Sequence, residues 1–365
     1  MHLFNNSGYG DKKHRVHENM SILQQLEIKH PILLAPMAGV STPELAAEVS
    51  NSGGLGSLGL GASNLSSARE QILQTQALTD APFQVNFFCH QPQVLNEQEA
   101  QCWINYLKPE FERFNATPPQ ALDCIYPSFL DNDDFLNLIL ETQPKAASFH
   151  FGIPSTHQIQ ALKNSGIITL VSATNLTEAK AIEAAGIDII IAQGIEAGGH
   201  RGIFNADMDG AVRTADLVQL INQHCKKPVI AAGGIMNGRQ ARQLMNLGAQ
   251  AVQLGTAFVQ CKTSNANAAY RQALLNQPLT QITSSISGRP ARGIINHWHT
   301  QIDHPERPSV PAYPYTYDLA KQLHAVANQM GDHGFGAFWA GSNVAQIREI
   351  EARDLINQLV LEMCE

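Results

Sequence analysis

Short apolar segments recur along the chain, and each is followed by a stretch with helical periodicity. Most of these segments are continuous apolar runs, which is typical of parallel strands that are covered on both faces. The pattern predicts eight strands, at 31–36, 54–60, 83–88, 145–151, 167–172, 188–193, 228–232 and 250–255. Amphipathic helices are predicted between them, for example at Pro43–Ser52, Leu176–Ala185 and Arg239–Leu247.

Residues that cap helices stand at the expected ends of these three segments. Thr42, Asn175 and Asn237 precede them, and their side chains suit an N-cap. Gly186 and Gly248 follow two of the helices, where a C-terminal glycine is expected. The caps therefore support both the element type and the approximate boundaries.

Eight consecutive βα units predict an α/β fold with a closed (β/α)8 barrel, and an open doubly wound sheet is the competing architecture. Residues 31–278 contain all eight units, and this span is close to the roughly 250 residues typical of such a barrel. We expect a leader at 1–30, the barrel at 31–278, and a C-terminal substrate or lid segment at 279–365. Part of 89–144 is predicted to be an insertion in the barrel that contributes to a second, smaller, mainly helical domain.

Composition narrows the functional classes. The chain has 365 residues, of which 44% are hydrophobic and 15% charged, and this composition excludes a largely disordered protein. Its net charge of −8 argues against nucleic acid as the ligand. No apolar run is long enough to span a membrane, and the N-terminus lacks an apolar signal region. The six cysteines are scattered without metal-ligand spacing. We therefore expect a cytoplasmic monomer or homodimer without a metal site.

Glycine-containing dipeptides stand at the ends of the last two predicted strands, where barrels commonly bind phosphate. Gly233-Gly234 allows close approach to the backbone, and Gly255-Thr256 offers amides and a hydroxyl. Either pair alone also suits a tight βα turn. Their occurrence at both expected strands favours a phosphate site.

Two carboxamides stand at strand positions that face the barrel mouth. Asn86 lies in the third predicted strand and Gln193 ends the sixth. Because carboxamides both donate and accept hydrogen bonds, they match the edge of an isoalloxazine ring, and Met37 supplies an apolar contact. Each carboxamide alone also suits a loop cap, so the pair is the informative feature.

His200 stands in a glycine-rich segment after the sixth predicted strand. The surrounding glycines indicate a flexible loop that lets a ligand approach the imidazole, which suits proton transfer or anion binding. A structural loop histidine is the alternative interpretation. His150 lies on a predicted buried strand, where a hydrogen-bonded core histidine is the more usual finding.

Several segments, in this order, resemble the nitronate monooxygenases, formerly called 2-nitropropane dioxygenases, of the bacterial first class. The motifs are PMAGVSTPELAAEVSNSGGLGSLG from residue 36, QVNFF from 84, AQGIEAGGHRG from 192, AAGGIMNGR from 231 and QLGTAF from 253. The resemblance continues past the barrel through SGRPARGIIN at 287–296 and AYPYTYDLAK at 312–321. It implies a TIM barrel that binds FMN and carries a smaller substrate domain.

The resemblance also implies roles for individual residues. His200 would be the catalytic histidine. Four residues would contact FMN, namely Met37, Asn86, Gln193 and Gly198. Five more would also surround FMN, chiefly its phosphate, namely Gly234, Gln253, Leu254, Gly255 and Thr256. Residues that line the substrate pocket would be His150, Tyr313, Tyr317 and Lys321.

The last three of these residues are spaced by four, which would place them on one face of a helix. Pro311 and Pro314 limit that helix to its later part. Packing between domains is the alternative role of the tyrosines, and a solvated charge is the alternative for Lys321.

The implied reaction is FMN-dependent oxidation of alkyl nitronates by dioxygen to the carbonyl compound and nitrite or nitrate. Lys321 or a tyrosine hydroxyl suits the carboxylate of propionate 3-nitronate. The alternative is an FMN-dependent NAD(P)H reductase, either an enoyl-acyl-carrier-protein reductase or a quinone reductase, because such barrels carry an EAGGH-like segment. The absence of a GxGxxG motif does not separate these functions.

Overall fold

The computed structural model describes residues 20–131, 133–276 and 278–365, so most of the predicted leader lies outside the described residues. Eight parallel strands form the central sheet. They are β1 (Ile32–Leu34), β2 (Gly56–Gly59), β3 (Phe83–Phe88), β4 (Ala146–His150), β5 (Ile168–Ala173), β6 (Ile189–Gln193), β8 (Val229–Ala232) and β9 (Ala251–Leu254). Seven of the eight predicted strands contain one of these, and the strand predicted at 167–172 overlaps Ile168–Ala173, which ends one residue later.

The sheet closes into a barrel. Its strand order is β1-β9-β8-β6-β5-β4-β3-β2. At the seam, the Leu34 amide donates to the Leu55 carbonyl over 2.9 Å, and the Leu55 amide donates to the Ile32 carbonyl over 3.0 Å. These bonds join β1 to the chain entering β2, so the predicted closed barrel is confirmed and the open sheet is excluded.

Helices alternate with the strands as predicted. They are α1 (Ile22–Leu26), α2 (Pro43–Asn51), α3 (Leu65–Leu78), α4 (Glu97–Arg113), α5 (Asp134–Thr142), α6 (Thr156–Asn164), α7 (Leu176–Ala184), α8 (Thr214–His224), α9 (Gly238–Asn246), α10 (Ala268–Leu275), α11 (Tyr315–Gln329) and α12 (Ala352–Cys364). The predicted N-caps are confirmed, because the side chains of Thr42, Asn175 and Asn237 each accept an amide at the first turn of their helix. Gly186 and Gly248 adopt positive φ angles of 81° and 110°.

The inward faces of the strands differ between the two ends of the barrel. At the amino end they are apolar, and α1 closes this end by packing Ile22 and Leu26 against strand residues such as Leu33 and Leu170. At the carboxyl end they carry the buried polar side chains Gln84, Asn86, Ser148, Ser172, Gln193 and Gln253. Buried polar side chains are thus concentrated at one end of the barrel interior, and the other end is apolar.

The last helix completes the outer layer of the barrel. Helix α12 packs against α9 and α2, which are neighbours of β9 and β1. Its buried residues Leu355, Ile356 and Leu359 belong to the same core as the barrel strands. α12 therefore takes the place of the eighth barrel helix, although it lies outside the predicted 31–278 span.

A second core forms between the insertion and the C-terminal region. Trp103 and Leu107 of α4 are fully buried beside Trp298 and beside Leu319 and Leu323 of α11. α5, from the same insertion, packs instead on the barrel helices α3 and α6. The domain boundaries themselves stay a prediction.

A short antiparallel sheet also lies outside the barrel. It joins β7 (Gly199–His200), β11 (Ala291–Ile294) and β10 (Thr280–Thr283). Ala291 pairs with His200, and Arg292 pairs with Gly199. The expectation that His200 lies in a flexible loop was therefore wrong, because this pairing with a distant strand orders the glycine-rich segment.

The described part of the chain shows no membrane-spanning helix, metal-binding cluster or disulfide. No helix among the described residues is long and apolar enough to cross a bilayer. No group of three or more His, Cys, Asp or Glu side chains in them is arranged to hold a metal ion. All six cysteines are free thiols, and three are buried while Cys102, Cys124 and Cys364 are exposed.

Candidate active site

A cavity of about 640 Å³ opens at the carboxyl ends of the barrel strands. Every predicted site residue lines it, namely Met37, Asn86, His150, Gln193, Gly198, His200, Gly234, Gln253, Leu254, Gly255, Thr256, Tyr313, Tyr317 and Lys321. The structure therefore brings together residues that are widely separated in the chain. Their individual roles stay a prediction.

Glycines and free amides form one end of the cavity. Gly234 has a φ of +71°, and a Cβ there would lie 2.9 Å from the Glu196 Cβ, so both conformation and space require glycine. No described residue accepts a hydrogen bond from the amides of Gly234, Gly255 or Thr256. Unpaired amides at a turn make a site for an anion such as phosphate.

The segment between α11 and α12 covers this end of the cavity. The Gly341 amide donates to Thr256 Oγ1 over 3.0 Å, and the Asn343 side chain donates to the Gly234 carbonyl. Sequence reasoning assigned no role to these residues. The only available signal was the glycine- and aromatic-rich run FGAFWAGS at 335–342, which has no regular periodicity.

Asn86 and Gln193 have their amide orientations set by backbone groups. Asn86 Nδ2 donates to the Ser148 carbonyl over 3.1 Å, so its oxygen is left for a ligand. Gln193 Oε1 accepts the Gly202 amide over 2.7 Å, and its Nε2 donates to the His200 carbonyl over 2.9 Å. Asn86 therefore offers an acceptor to the cavity, and Gln193 keeps one N–H for a ligand.

A buried arginine supports Gln193 from behind. The Arg201 side chain is fully buried and pairs with Asp209, with 2.8 Å between Nε and Oδ2. Its Nη1 donates to the Gly194 carbonyl over 2.7 Å and to Gln193 Oε1 over 3.2 Å. Burial opposes ionisation of Asp209, but the hydrogen bonds and charge of Arg201 outweigh it and lower the pKa of this carboxyl group. Sequence analysis recorded Arg201 only as part of the glycine-rich motif.

The His200 ring lies in the middle of the cavity wall. Its Nε2 is 2.8 Å from Ser287 Oγ. Aromatic rings pack around it, from Phe151, Tyr313, Tyr317 and Trp339. Burial, with smaller contributions from His150 and Arg289, lowers the pKa of His200 to about 3. The ring is therefore neutral near pH 7 and can accept a proton or a hydrogen bond.

His150 supports His200 from the neighbouring strand. Its Nε2 lies 3.1 Å from the His200 carbonyl oxygen, which can only accept, so this nitrogen carries the proton. Its Nδ1 lies 3.0 Å from Ser172 Oγ. Burial is the main cause that lowers the pKa of His150 to about 4. Both nitrogens thus contact protein groups, and the predicted role of His150 towards a substrate stays a prediction.

Tyrosines and one lysine form the other end of the cavity. α11 begins after Pro314, so Tyr313 precedes it, while Tyr317 and Lys321 lie one turn apart on its cavity face. This confirms that the prolines restrict the helix. Lys321 Nζ donates to the hydroxyl of Tyr126, a residue that sequence analysis missed, over 2.8 Å. Burial, with a smaller contribution from Asp318, raises the pKa of Tyr126 to about 12, so the hydroxyl stays protonated.

Tyr313 and Lys321 differ in the polar group that each offers to the cavity. The Tyr313 hydroxyl is buried without a hydrogen-bond partner, so its ring rather than its oxygen lines the cavity. Of the described lining residues, Lys321 carries the positive side chain. The cavity therefore runs from an amide-lined end, past a neutral histidine, to a cationic end that suits a second anionic group.

Comparisons with known proteins identify the family. The family model described as nitronate monooxygenase matches residues 20–362. A nitronate monooxygenase of Paraburkholderia phytofirmans is 49% identical over 94% of this chain and 94% of its own length. One of Pseudomonas aeruginosa is 48% identical over 93% and 97%.

A solved structure agrees with these sequences. Nitroalkane oxidase from Streptomyces ansochromogenes superposes with a TM-score of 0.84 at 35% identity, over 94% of this chain and 97% of that one. Both the sequences and the structure match nearly the whole chain, including the region beyond the barrel. This chain belongs to the nitronate monooxygenase family of oxidoreductases.

Proposed function

We propose that this enzyme binds FMN and uses dioxygen to oxidise alkyl nitronates, propionate 3-nitronate among them, to the carbonyl compound and nitrite or nitrate. One observation carries the proposal. A single cavity holds an amide-lined anion site, two oriented carboxamides, a neutral histidine and a lysine paired with a tyrosine. That order suits a phosphorylated ring cofactor next to a small anionic substrate.

The residues present fit FMN. Asn86 offers an acceptor for the ring N3–H, and Gln193 offers a donor for a neighbouring ring carbonyl. Gln253 Oε1 is oriented towards Gln84 Nε2 at 3.5 Å, which leaves its own N–H groups for the same edge. The amides of Gly234, Gly255 and Thr256 would hold the phosphate. When bound, FMN supplies the redox chemistry between the nitronate and dioxygen.

The opposite end of the cavity fits the substrate. A nitronate carries its negative charge on the nitro oxygens. Propionate 3-nitronate has a carboxylate as well, and Lys321 would bind it with the Tyr126 hydroxyl beside it. An anion that enters this largely apolar cavity is stabilised by a charged hydrogen bond more than by a neutral one.

Oxygen uptake tests the proposal directly. We expect the purified yellow protein to consume oxygen with propionate 3-nitronate when no NADH is present. Anaerobic mixing with NADH should leave the flavin absorbance unchanged on the timescale of turnover. Fast bleaching by NADH, together with absence of nitronate turnover, would establish the reductase function instead.

A further inference from the structure

Ser287 is the hydrogen-bond partner of the His200 ring. It is fully buried in the turn before β11, and its Oγ lies 2.8 Å from His200 Nε2. The register of the small sheet sets Ala291 opposite His200, and the Arg201 amide donates to the Pro290 carbonyl over 2.8 Å. Backbone pairing on both sides therefore holds the hydroxyl and the ring together.

The hydrogen bonds of Ser287 determine which ring nitrogen carries the proton. A serine hydroxyl has one proton and two lone pairs. The Arg289 carbonyl oxygen, which can only accept, lies 3.1 Å from the hydroxyl and is hydrogen-bonded only if it receives this proton. One lone pair receives the Arg289 amide over 3.3 Å. The remaining lone pair faces His200, so all three contacts of the hydroxyl are hydrogen bonds only when Nε2 donates and Nδ1 carries no proton.

The surroundings prevent the ring from exchanging its nitrogens. Ring centroids lie 5.3 Å away for Trp339, 5.5 Å for Phe151, 5.8 Å for Tyr313 and 6.0 Å for Tyr317. The His200 carbonyl is held by two donors from the neighbouring strands. Titratable groups face the ring from three elements, namely His150 on β4, Arg289 before β11, and the two tyrosines before and on α11. Nδ1 has no partner among the described residues.

We propose that Ser287 is a positioning residue that holds His200 as the Nε2–H tautomer, so that Nδ1 accepts the α-proton of neutral nitroalkanes. The inference rests on the proposed function. In this step the C–H bond breaks, its electron pair stays on the substrate as the nitronate, and the proton forms an N–H bond at Nδ1. A nitronate that is supplied as the anion does not need the step.

Turnover of nitroethane and of its anion, ethylnitronate, distinguishes this role of Ser287 from a merely structural one. For Ser287→Ala we expect kcat/KM for nitroethane to fall about tenfold or more, since general-base catalysis contributes about 10²-fold or more. The value for ethylnitronate should change by less than about threefold, because no general base is required for the anion. Ser287→Thr keeps the hydroxyl and should restore nitroethane turnover.

Ser285→Ala is the matched control. Ser285 is equally buried two residues away, but its hydroxyl donates to Asp303 over 2.9 Å and does not contact His200. Both substrates should respond alike in this variant. Equal losses for nitroethane and ethylnitronate in Ser287→Ala would overturn the proposal.

A spectroscopic measurement tests the tautomer without relying on activity. In the ¹⁵N spectrum of histidine-labelled wild-type protein, the His200 signals are those that disappear in His200→Gln. We expect a protonated Nε2 and an unprotonated Nδ1, and the reverse pattern would contradict the assignment even if Ser287→Ala does not fold. Absence of nitronate turnover in the wild type would overturn the proposed function alone.

Discussion

Lys321 places a positive charge at the end of the cavity that is remote from the amide-lined site. Its partner there is a neutral tyrosine hydroxyl rather than a carboxylate, so the charge is available to a substrate anion. Asp318 lies one turn earlier on α11 but bonds the Asp123 amide and the Gln322 side chain instead. Under the proposed function, Lys321 would therefore distinguish substrates that carry a carboxylate from those that do not.

Lys321→Met should weaken binding of propionate 3-nitronate selectively. A hydrogen bond to a charged group contributes about 1.5–3 kcal/mol, so KM is expected to rise about 10- to 100-fold. KM for ethylnitronate, which lacks the carboxylate, should change little. The control is Lys108→Met on the exposed face of α4, where the side chain is 57% exposed. An equal rise for both substrates in Lys321→Met would refute the assigned contact.

Gly234→Ala should weaken FMN binding. The φ of +71° and the close Glu196 side chain leave no room for a methyl group beside the free amide. The control is Gly166→Ala, which has a φ of +75° but nothing within 4 Å. Both variants should lose about 1 kcal/mol of stability from left-handed backbone strain. Fluorescence titration should show a raised Kd for FMN in Gly234→Ala only, and an equal Kd in the two variants would exclude the phosphate role.

At the scale of elements, α12 contributes to the barrel although it is distant from it in sequence. Leu359 is fully buried in the barrel core, whereas Leu361 on the same helix is 67% exposed. Truncation of a buried leucine to alanine costs about 2–5 kcal/mol, because it removes apolar burial and leaves a cavity. Leu359→Ala is therefore expected to lower the free energy of unfolding by that amount in urea denaturation.

Leu361→Ala provides the comparison within the same helix. Its side chain is mostly in solvent, so the variant should unfold at nearly the wild-type urea concentration. Similar midpoints for the two variants would show that α12 does not stabilise the barrel.

The barrel elements were predictable because the residues within and next to each element indicate its type and burial. The run at Ile189–Gln193 is apolar on both faces, and Asn175 and Asn237 mark helix starts by their own side-chain chemistry. β7 was not predictable, because two residues have no periodicity and their strand state depends on pairing with β11. The same holds for Gly341 and Ser287, whose contacts join segments that are far apart in the chain. Long-range contacts of this kind leave no local pattern.

Across the whole molecule, buried histidines couple stability to pH. Burial lowers the pKa of His90 and of His150 to about 4, and that of His200 to about 3. In the unfolded chain a histidine takes up its proton near pH 6.5. Between pH 6.5 and about 4 the unfolded state therefore binds more protons, and stability falls as the pH falls.

His90→Gln should reduce this pH dependence. Each histidine that is kept neutral contributes a slope of up to about 1.4 kcal/mol per pH unit below pH 6.5, and the variant removes one of them. Urea denaturation at several pH values between 4.5 and 7.5 measures the slope. His304→Gln, at an exposed position, is the control for the substitution itself. A slope in His90→Gln equal to the wild-type slope would contradict the prediction.

The position of α12 and of the Gly341–Asn343 segment also affects the order of events during synthesis. Both emerge from the ribosome long after β9, the last barrel strand. A growing chain thus contains all eight strands while one groove on the outside of the barrel is bare and the anion site has no cover. Apolar surface exposed at this stage favours aggregation, so chaperone binding at that groove would protect the nascent protein. The Gly341–Asn343 cover of the cavity can form only after this late segment has been synthesised.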